Sequence, residues 1–330
     1  MNHLNKLTGW KILGLGLILL GGCSKSDSGA APPTAGGTRA RIGVSIPSGD
    51  HGWTAGVVWW AQRAMALHPE IDWQFAAAEN GQKQVADIET MMAKGLDGLV
   101  VLPTEVEPVT QACKAAHQRG IFIVNVDRGL TEPIADMHLE GDNKLFGRKS
   151  AQYVAEKMNH KGNLVILEGQ INQVNSDRVE AAKAVFAQYA DIHILADQEA
   201  DWNREQGLKV MQGILATNPH IDAVWAQDDD TALGAIAAIK EAGRQKEMWV
   251  LGGAGMKQVV EMVMNRDPMV PADITYPPSM IAAGIHLAAS ALRDGRQAQL
   301  SQFMPRHLIQ DVDLVTPENA EKFYFKDSVY

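Results

Sequence analysis

Short apolar runs rich in β-branched residues alternate along this chain with segments of helical periodicity. The runs fall at residues 42–46, 71–76, 98–102 and 121–126, and again at 164–167, 192–196, 221–226 and 248–251. Parallel strands need long crossover connections, which are usually helices. The alternation therefore predicts an α/β fold with parallel sheets that are covered by helices on both faces.

The helical segments carry the apolar stripe that such a fold requires, and the pattern occurs twice. Between residues 82 and 94, Val85, Ile88 and Met92 fall on one helical face. Residues 88–120 and 210–243 both read as a helix, a turn with an aspartate, an apolar strand, an acidic loop and a helix that ends at glycine. Two similar doubly wound lobes are predicted. Ligands of open α/β sheets bind beyond the carboxyl ends of the strands, so functional residues are expected there.

The amino terminus has the features of an export signal. Lys6 and Lys11 precede an apolar stretch, residues 12–20, that is too short to span a bilayer. The sequence Leu20-Gly21-Gly22-Cys23 resembles a bacterial lipobox, which implies cleavage of residues 1–22 and lipidation of Cys23. Residues 24–37 lack large apolar side chains, and residues 23–40 are therefore predicted to form a flexible tether.

The location expected from this leader is extracytoplasmic, with membrane contact through the lipid anchor only. In a cell with two membranes, Ser24 provides no inner-membrane retention signal, which favours the periplasmic face of the outer membrane. In a cell with one membrane, the protein would face outward from the plasma membrane.

Composition and motifs exclude several classes of function. Cleavage at Cys23 removes two lysines and changes the formal charge from −9 to −11, so binding to nucleic acid is not expected. Cys113 and His117 are only two potential ligands and predict no metal site; Cys113 is expected to be a buried apolar residue. Residues 252–256 lack the spacing of a dinucleotide-binding motif, and no cofactor is expected. No catalytic residues are predicted, because no nucleophile and base are recognisable.

Candidate ligand-binding residues in the first half follow two predicted strands. Trp53 lies in a polar loop after the first strand, where its indole could cover the C–H face of a sugar ring. Asp127 and Arg128 follow the fourth strand. Their carboxylate and guanidinium could bracket a vicinal diol, although an ion pair at the rim of the site is an equal alternative.

The second half places similar side chains after its own strands. Arg178 follows the strand end at Glu168, Trp202 follows the next strand, and an acidic triplet at residues 228–230 follows the third. An acidic triplet could bind a metal or cap the next helix; we expect Asp229 or Asp230 to cap it and Asp228 to contact the ligand.

These segments together resemble the type I periplasmic binding proteins of the ribose, galactose and related sugar ABC importers, across residues 41–315. The matching segments are Val126-Asp127-Arg128, Ala200-Asp201-Trp202 and residues 207–212, 224–229 and 232–235. The resemblance implies two lobes joined by a three-strand hinge, with crossings near Asp142, Tyr276 and Pro305. Lobe I would comprise residues 41–141 and 277–304, and lobe II residues 142–276 and 305–330.

The resemblance also assigns roles to residues of this chain. It implies ligand contacts at Asp50 or His51 and at Trp53, with a diol-binding pair at Asp127 and Arg128. It implies further contacts at Arg178, Trp202 and Asp228. Two positions depart from the family pattern: Ala254 stands where an aspartate is usual, and Tyr276 replaces the hinge glutamine. Both changes argue against ribose and favour a larger or differently oxidised sugar, or a polyol.

The implied function is to capture a sugar or polyol and deliver it, as a monomer, to an ABC permease and its ATPase. A sensory subunit that presents ligand to a membrane receptor or kinase is the alternative. A repressor of the lactose type would need a basic helix-turn-helix where the signal and tether stand. An enzyme that cleaves sugars would need a pair of carboxylates that flank the scissile bond.

Overall fold

The computed structural model describes residues 39–49, 51–293, 303 and 305–330. A six-stranded parallel sheet forms the centre of the first of two α/β lobes, lobe I. The strand order is β11-β5-β4-β3-β1-β2. The strands are β1 (Arg41–Pro47), β2 (Asp72–Ala78), β3 (Gly98–Val101), β4 (Phe122–Val126), β5 (Met137–Gly141) and β11 (His307–Gln310). The apolar residues of β1 are fully buried, as a sheet covered on both faces requires.

Among the described residues, four helices pack on this sheet in lobe I. They are α1 (Gly52–Ala66), α2 (Gly81–Ala93), α3 (Val106–Gln118) and α9 (Met280–Leu292). Helix α2 begins where the side chain of Asn80 accepts a hydrogen bond from the amide of Lys83, and its predicted stripe places Ile88 and Met92 in the core. Cys113 on α3 is buried, as expected, and burial raises the pKa of its thiol to about 12.

A four-stranded parallel sheet and five helices form lobe II. The strand order is β7-β6-β8-β9. The strands are β6 (Lys161–Glu168), β7 (Asp191–Glu199), β8 (Ala223–Ala226) and β9 (Trp249–Leu251). The helices are α4 (Asn143–Lys157), α5 (Gln173–Phe186), α6 (Arg204–Thr217), α7 (Asp229–Glu241) and α8 (Lys257–Met264). The strand order β2-β1-β3-β4 of lobe I recurs as β7-β6-β8-β9 in lobe II, and the α/β prediction is confirmed.

The chain crosses between the lobes after β5, after β10 (Asp273–Ile274) and before β12 (Leu314–Val315), which pairs antiparallel with β10. One predicted boundary needs correction. Strand β11 pairs in register with β5 of lobe I, with His307 opposite His138 and Gln310 opposite Gly141. The third crossing therefore lies beyond Gln310 and not near Pro305. The sequence did not indicate β11 as a strand because this edge strand is short and mostly exposed, so it lacks a run of buried apolar residues.

The predicted signal peptide and Cys23 lie outside the described residues, as do all but the last two residues of the tether. Within the part of the chain that the structure describes, no helix is both long enough and apolar enough to cross a membrane.

Candidate functional site

One cavity brings together nearly all the residues selected from the sequence. The space between the lining atoms is about 340 Å³, part of which is open to solvent. The lining side chains are His51, Trp53, Asp127, Arg128, Val174, Arg178, Trp202, Asp228, Ala254 and Tyr276. Asp50, the remaining predicted residue, lies outside the described residues. Val174 was not expected, since one apolar residue in the first turn of a helix carries no distinguishing signal.

Asp127 and Arg128 occupy the loop after β4, whose backbone is tightly held. Asp127 adopts a left-handed conformation with φ 62°, and its amide donates to the carbonyl of Leu139 across 2.7 Å. Arg128 donates through Nη1 to the carbonyls of Pro103 and Thr104, at 3.2 and 3.1 Å. The Arg128 Nε and Asp127 Oδ2 atoms are 4.0 Å apart, and their side chains are only 9% and 5% exposed. The pair is thus part of a buried wall and not an exposed ion pair at the rim.

Tyr276, in the crossing segment, contacts lobe I through both its side chain and its backbone. Its hydroxyl donates to Asp127 Oδ1 across 2.6 Å, and its backbone carbonyl accepts from Trp53 Nε1 at 2.9 Å. Burial and the neighbouring negative charge of Asp127 raise the pKa of Tyr276 well above its ordinary value. The phenol is therefore a neutral donor, and it leaves the second oxygen of Asp127 available for hydroxyl groups.

Arg178 enters the cavity from α5 of lobe II. Its Nε donates to Asn143 Oδ1 at 2.9 Å and its Nη1 to the carbonyl of Gln227 at 3.0 Å. The guanidinium carbon lies 4.1 Å from the ring centre of Phe146 and 4.4 Å from that of Tyr276. Burial lowers the pKa of Arg178. An arginine carries five N–H donors, so this arrangement leaves others for the oxygen atoms of a ligand.

Trp202 forms an aromatic wall because of an unusual turn after β7. Asp201 and Trp202 both adopt left-handed conformations, with φ 56° and 53°, and the turn closes with a bond from the amide of Asn203 to the carbonyl of Ala200. Gly169 permits this position, since a Cβ atom there would lie 1.8 Å from the indole. The guanidinium carbons of Arg128 and Arg178 are 6.0 and 5.8 Å from the indole centre. The ring thus stands near both predicted guanidinium groups.

Asp228 both lines the cavity and caps α7. Its Oδ1 accepts from the amides of Asp230 and Thr231, at 2.8 and 3.4 Å. The expectation that Asp229 or Asp230 would be the cap was wrong, because the residue closest to the strand end already has the extended backbone of an N-cap. Burial raises the pKa of Asp228 to about 7. A protonated carboxyl can donate a hydrogen bond, so near neutrality this group can serve as donor or acceptor.

Asp229 and Asp273 support the cavity from behind, a role that the sequence did not reveal. Asp229 accepts from the amides of Gly253 and Met256, at 2.9 and 2.6 Å. Asp273 accepts from the amide of Gly255 at 3.1 Å. Burial raises the pKa of both carboxyls, that of Asp273 to about 7. Together they fix the loop that places Ala254 in the cavity wall.

This cavity thus offers carboxyl and guanidinium groups from both lobes beside two indole rings, which suits a compact molecule with many hydroxyl groups.

Comparison with known proteins identifies the family of this chain. Residues 42–297 match the periplasmic binding protein domain family. The chain is 27% identical to the ribose import binding protein of Bacillus subtilis over 90% of this chain and 96% of that protein. It is 30% identical to the xylitol-binding protein of Mycolicibacterium smegmatis, over 70% of this chain and 64% of that protein.

Solved structures of the same fold cover most of the chain. A solute-binding protein of an ABC transporter from Actinobacillus succinogenes, with bound D-allose, superposes with a TM-score of 0.75 and 27% identity, covering 86% of this chain and 99% of that one. The fructose-binding periplasmic domain of a hybrid two-component system gives a TM-score of 0.74 and 27% identity, covering 86% and 93%. The chain belongs to the type I periplasmic binding protein family, in which its relatives include proteins that bind sugars.

Proposed function

We propose that this protein captures a sugar or polyol between its lobes and delivers it to an ABC permease and its ATPase. The observation that carries the proposal is the shared cavity. Asp127 and Arg128 come from lobe I, Arg178, Trp202 and Asp228 come from lobe II, and Tyr276 comes from a crossing segment. A ligand that touches all of them is bound best when the lobes are closed, so binding shifts the protein to the closed form.

The ligand that we propose is larger than ribose or differently oxidised. Ala254 contributes a methyl group where a family carboxylate would bind hydroxyls, and Tyr276 uses its hydroxyl on Asp127. The names of relatives that bind xylitol and D-allose support this chemical class. The proposed role needs no bond to be broken, so we propose a binding protein and not an enzyme.

Calorimetry with a panel of D-ribose, D-allose, D-fructose, xylitol and myo-inositol tests the proposal. We expect at least one of the last four to bind more tightly than D-ribose. Asp127→Asn keeps the shape of the side chain but removes its charge, and it should weaken the tightest binding roughly tenfold or more, as expected when a hydrogen bond to a charged group is lost. Unchanged affinity in this variant would contradict the assignment of the site.

We further propose that Cys23 carries lipid and that the mature protein acts as a monomer outside the cytoplasm. The lipobox-like sequence and the polar residues that follow it support this anchor. Metabolic labelling with palmitate should label the wild type and not Cys23→Ser. If both proteins carry label, the anchor is attached elsewhere.

A sensory subunit is the second candidate, supported by the similarity to the fructose-binding domain of a hybrid two-component system. Uptake of the radiolabelled ligand by cells with and without the gene separates the two. Transport predicts that deletion reduces uptake and that Trp202→Ala fails to restore it. Sensing predicts unchanged uptake together with a lost transcriptional response.

A further inference from the structure

Two histidines and a glutamate cluster on the exposed edge of the lobe I sheet. His138 and Glu140 are two residues apart on β5, so their side chains share a face of the sheet. His307 on β11 lies opposite His138 in the parallel register and shares that face. One potential ligand atom from each of the three residues lies within 4.8 Å of the other two. Regular strands hold all three residues, which fixes their backbone positions.

The surroundings of His138 select the form of imidazole that binds metals. Its Nε2 atom lies 3.0 Å from the carbonyl oxygen of Asp127. A carbonyl only accepts, so Nε2 carries the proton and Nδ1 presents a lone pair. A bond from the second ring nitrogen to a backbone carbonyl is the usual support for a histidine that ligates a metal.

The other two groups are placed to join it. His307 Nε2 lies 2.7 Å from Glu140 Oε1, and the rings of His138 and His307 are parallel, with centres 5.1 Å apart. Parallel rings do not direct both lone pairs at one ion, so His307 has to rotate. Its side chain is 51% exposed, and exposed side chains change rotamer readily.

We propose that His138, Glu140 and His307 form a site for a divalent transition metal, with zinc as the ion that suits it best. Two imidazoles and one carboxylate are a common set for zinc, with a fourth position left open for water. No metal site was expected from the sequence, in which Glu140 and His307 are 167 residues apart. Only the pairing of β5 with β11 brings them together.

The proposed ion would influence the cavity that contains Asp127 through the hydrogen bond from His138 to the Asp127 carbonyl. His138 holds the backbone of Asp127, whose side chain lines that cavity. A metal on Nδ1 fixes this imidazole and therefore the position of Asp127. Because coupling between two sites is reciprocal, zinc and sugar should change each other's affinity by the same factor.

Titration calorimetry with ZnCl₂ tests the site on the purified, metal-stripped protein without sugar. We expect one zinc ion per chain, with the affinity reduced at least tenfold in His307→Ala and in Glu140→Gln. The matched control is His193→Gln, which removes an exposed histidine from a strand of the other sheet and should leave zinc binding unchanged. Thermal unfolding of each variant checks that it folds.

Two outcomes would overturn the proposal. One is the absence of zinc binding in the wild type, which would reduce the cluster to a surface ion pair between His307 and Glu140. The other is an equal affinity for zinc in His307→Ala, which would place the ion elsewhere. As a second readout, Co²⁺ bound at this site should give the visible absorption of a low-coordinate complex, and His307→Ala should abolish it.

Discussion

The amide of Gly52 donates a hydrogen bond of 2.8 Å to Asp230 Oδ2, and this bond joins the first turn of α1 in lobe I to α7 in lobe II. Arg204 holds the other oxygen of Asp230 through Nε and Nη2, at 3.0 and 2.8 Å. Neither Gly52 nor Asp230 is among the residues that line the cavity. Their hydrogen bond therefore joins the lobes directly, without a ligand in between.

Loss of this link should favour the open form. Asp230→Ala removes the acceptor of Gly52, and hydrogen bonds to charged groups contribute roughly 1.5–3 kcal/mol. We expect the dissociation constant of the tightest-binding sugar or polyol of the panel to rise at least about tenfold. Calorimetry measures the change, and small-angle X-ray scattering should show a larger radius of gyration for the variant at subsaturating ligand.

A carboxylate that does not cross between the lobes provides the control for Asp230→Ala. Glu318 pairs with Arg266 at 3.1 Å, and both side chains are about two-thirds exposed. Glu318→Ala should leave the affinity for ligand unchanged, since exposed ion pairs contribute little. If both variants lose affinity equally, the effect comes from overall charge and not from the link between the lobes.

Removal of the indole of Trp202 should weaken binding strongly. An aromatic face contributes both buried apolar area and stacking, and we expect Trp202→Ala to reduce affinity by roughly 10–100-fold. The matched control is Trp59→Ala, which removes an indole that packs on Arg63 at 3.4 Å, away from the cavity. Equal losses in both variants would contradict the role of Trp202.

The absence of a side chain at Gly169 should be needed to keep the indole of Trp202 in place. An alanine methyl group there would overlap the indole of Trp202 and displace it, so Gly169→Ala should reduce affinity about as much as Trp202→Ala. A methyl group on Gly213 of α6 would meet no other atom within 4 Å. Gly213→Ala should stabilise the fold by roughly 0.5–1 kcal/mol, as measured by urea unfolding, without changing affinity.

The raised pKa of Asp228 predicts a dependence of stability on pH. Its folded-state value of about 7 exceeds the ordinary 3.8, so between these values the native protein binds more protons than the unfolded chain. The contribution of this group to stability is therefore complete below the unfolded pKa and is lost as pH rises towards about 7.

Asp228→Asn isolates this effect, because asparagine is an equally good N-cap and does not titrate. The free energy of unfolding of the variant, relative to wild type, should increase between about pH 4.5 and pH 8. Other carboxyl groups, including Asp273, contribute to both proteins, so the comparison removes most of their effect. A difference that does not change with pH would show that Asp228 is ionised throughout this range.

Much of the fold was predictable because the physical signals are local. Alternating apolar runs and helical stripes located all four strands of the parallel sheet of lobe II. The rule that ligands bind beyond strand ends selected Asp127, Arg128 and Trp202, which all line one cavity. What the sequence could not supply were contacts made only after folding. The bond from Tyr276 to Asp127, the loop supports of Asp229 and Asp273 and the register of β11 each join residues distant along the chain.

Ala254 has a consequence for how the ligand range of this protein can evolve. Its backbone is held on both sides, by a bond from its amide to the carbonyl of Ile274 and one from the amide of Tyr276 to its own carbonyl. Its φ of 113° is unfavourable for any residue other than glycine, so alanine already bears the backbone strain that aspartate or asparagine would bear. A mutation there can thus exchange a methyl group for a hydroxyl-binding side chain without rebuilding the loop. Divergence to a new nutrient could begin with that single amino-acid change.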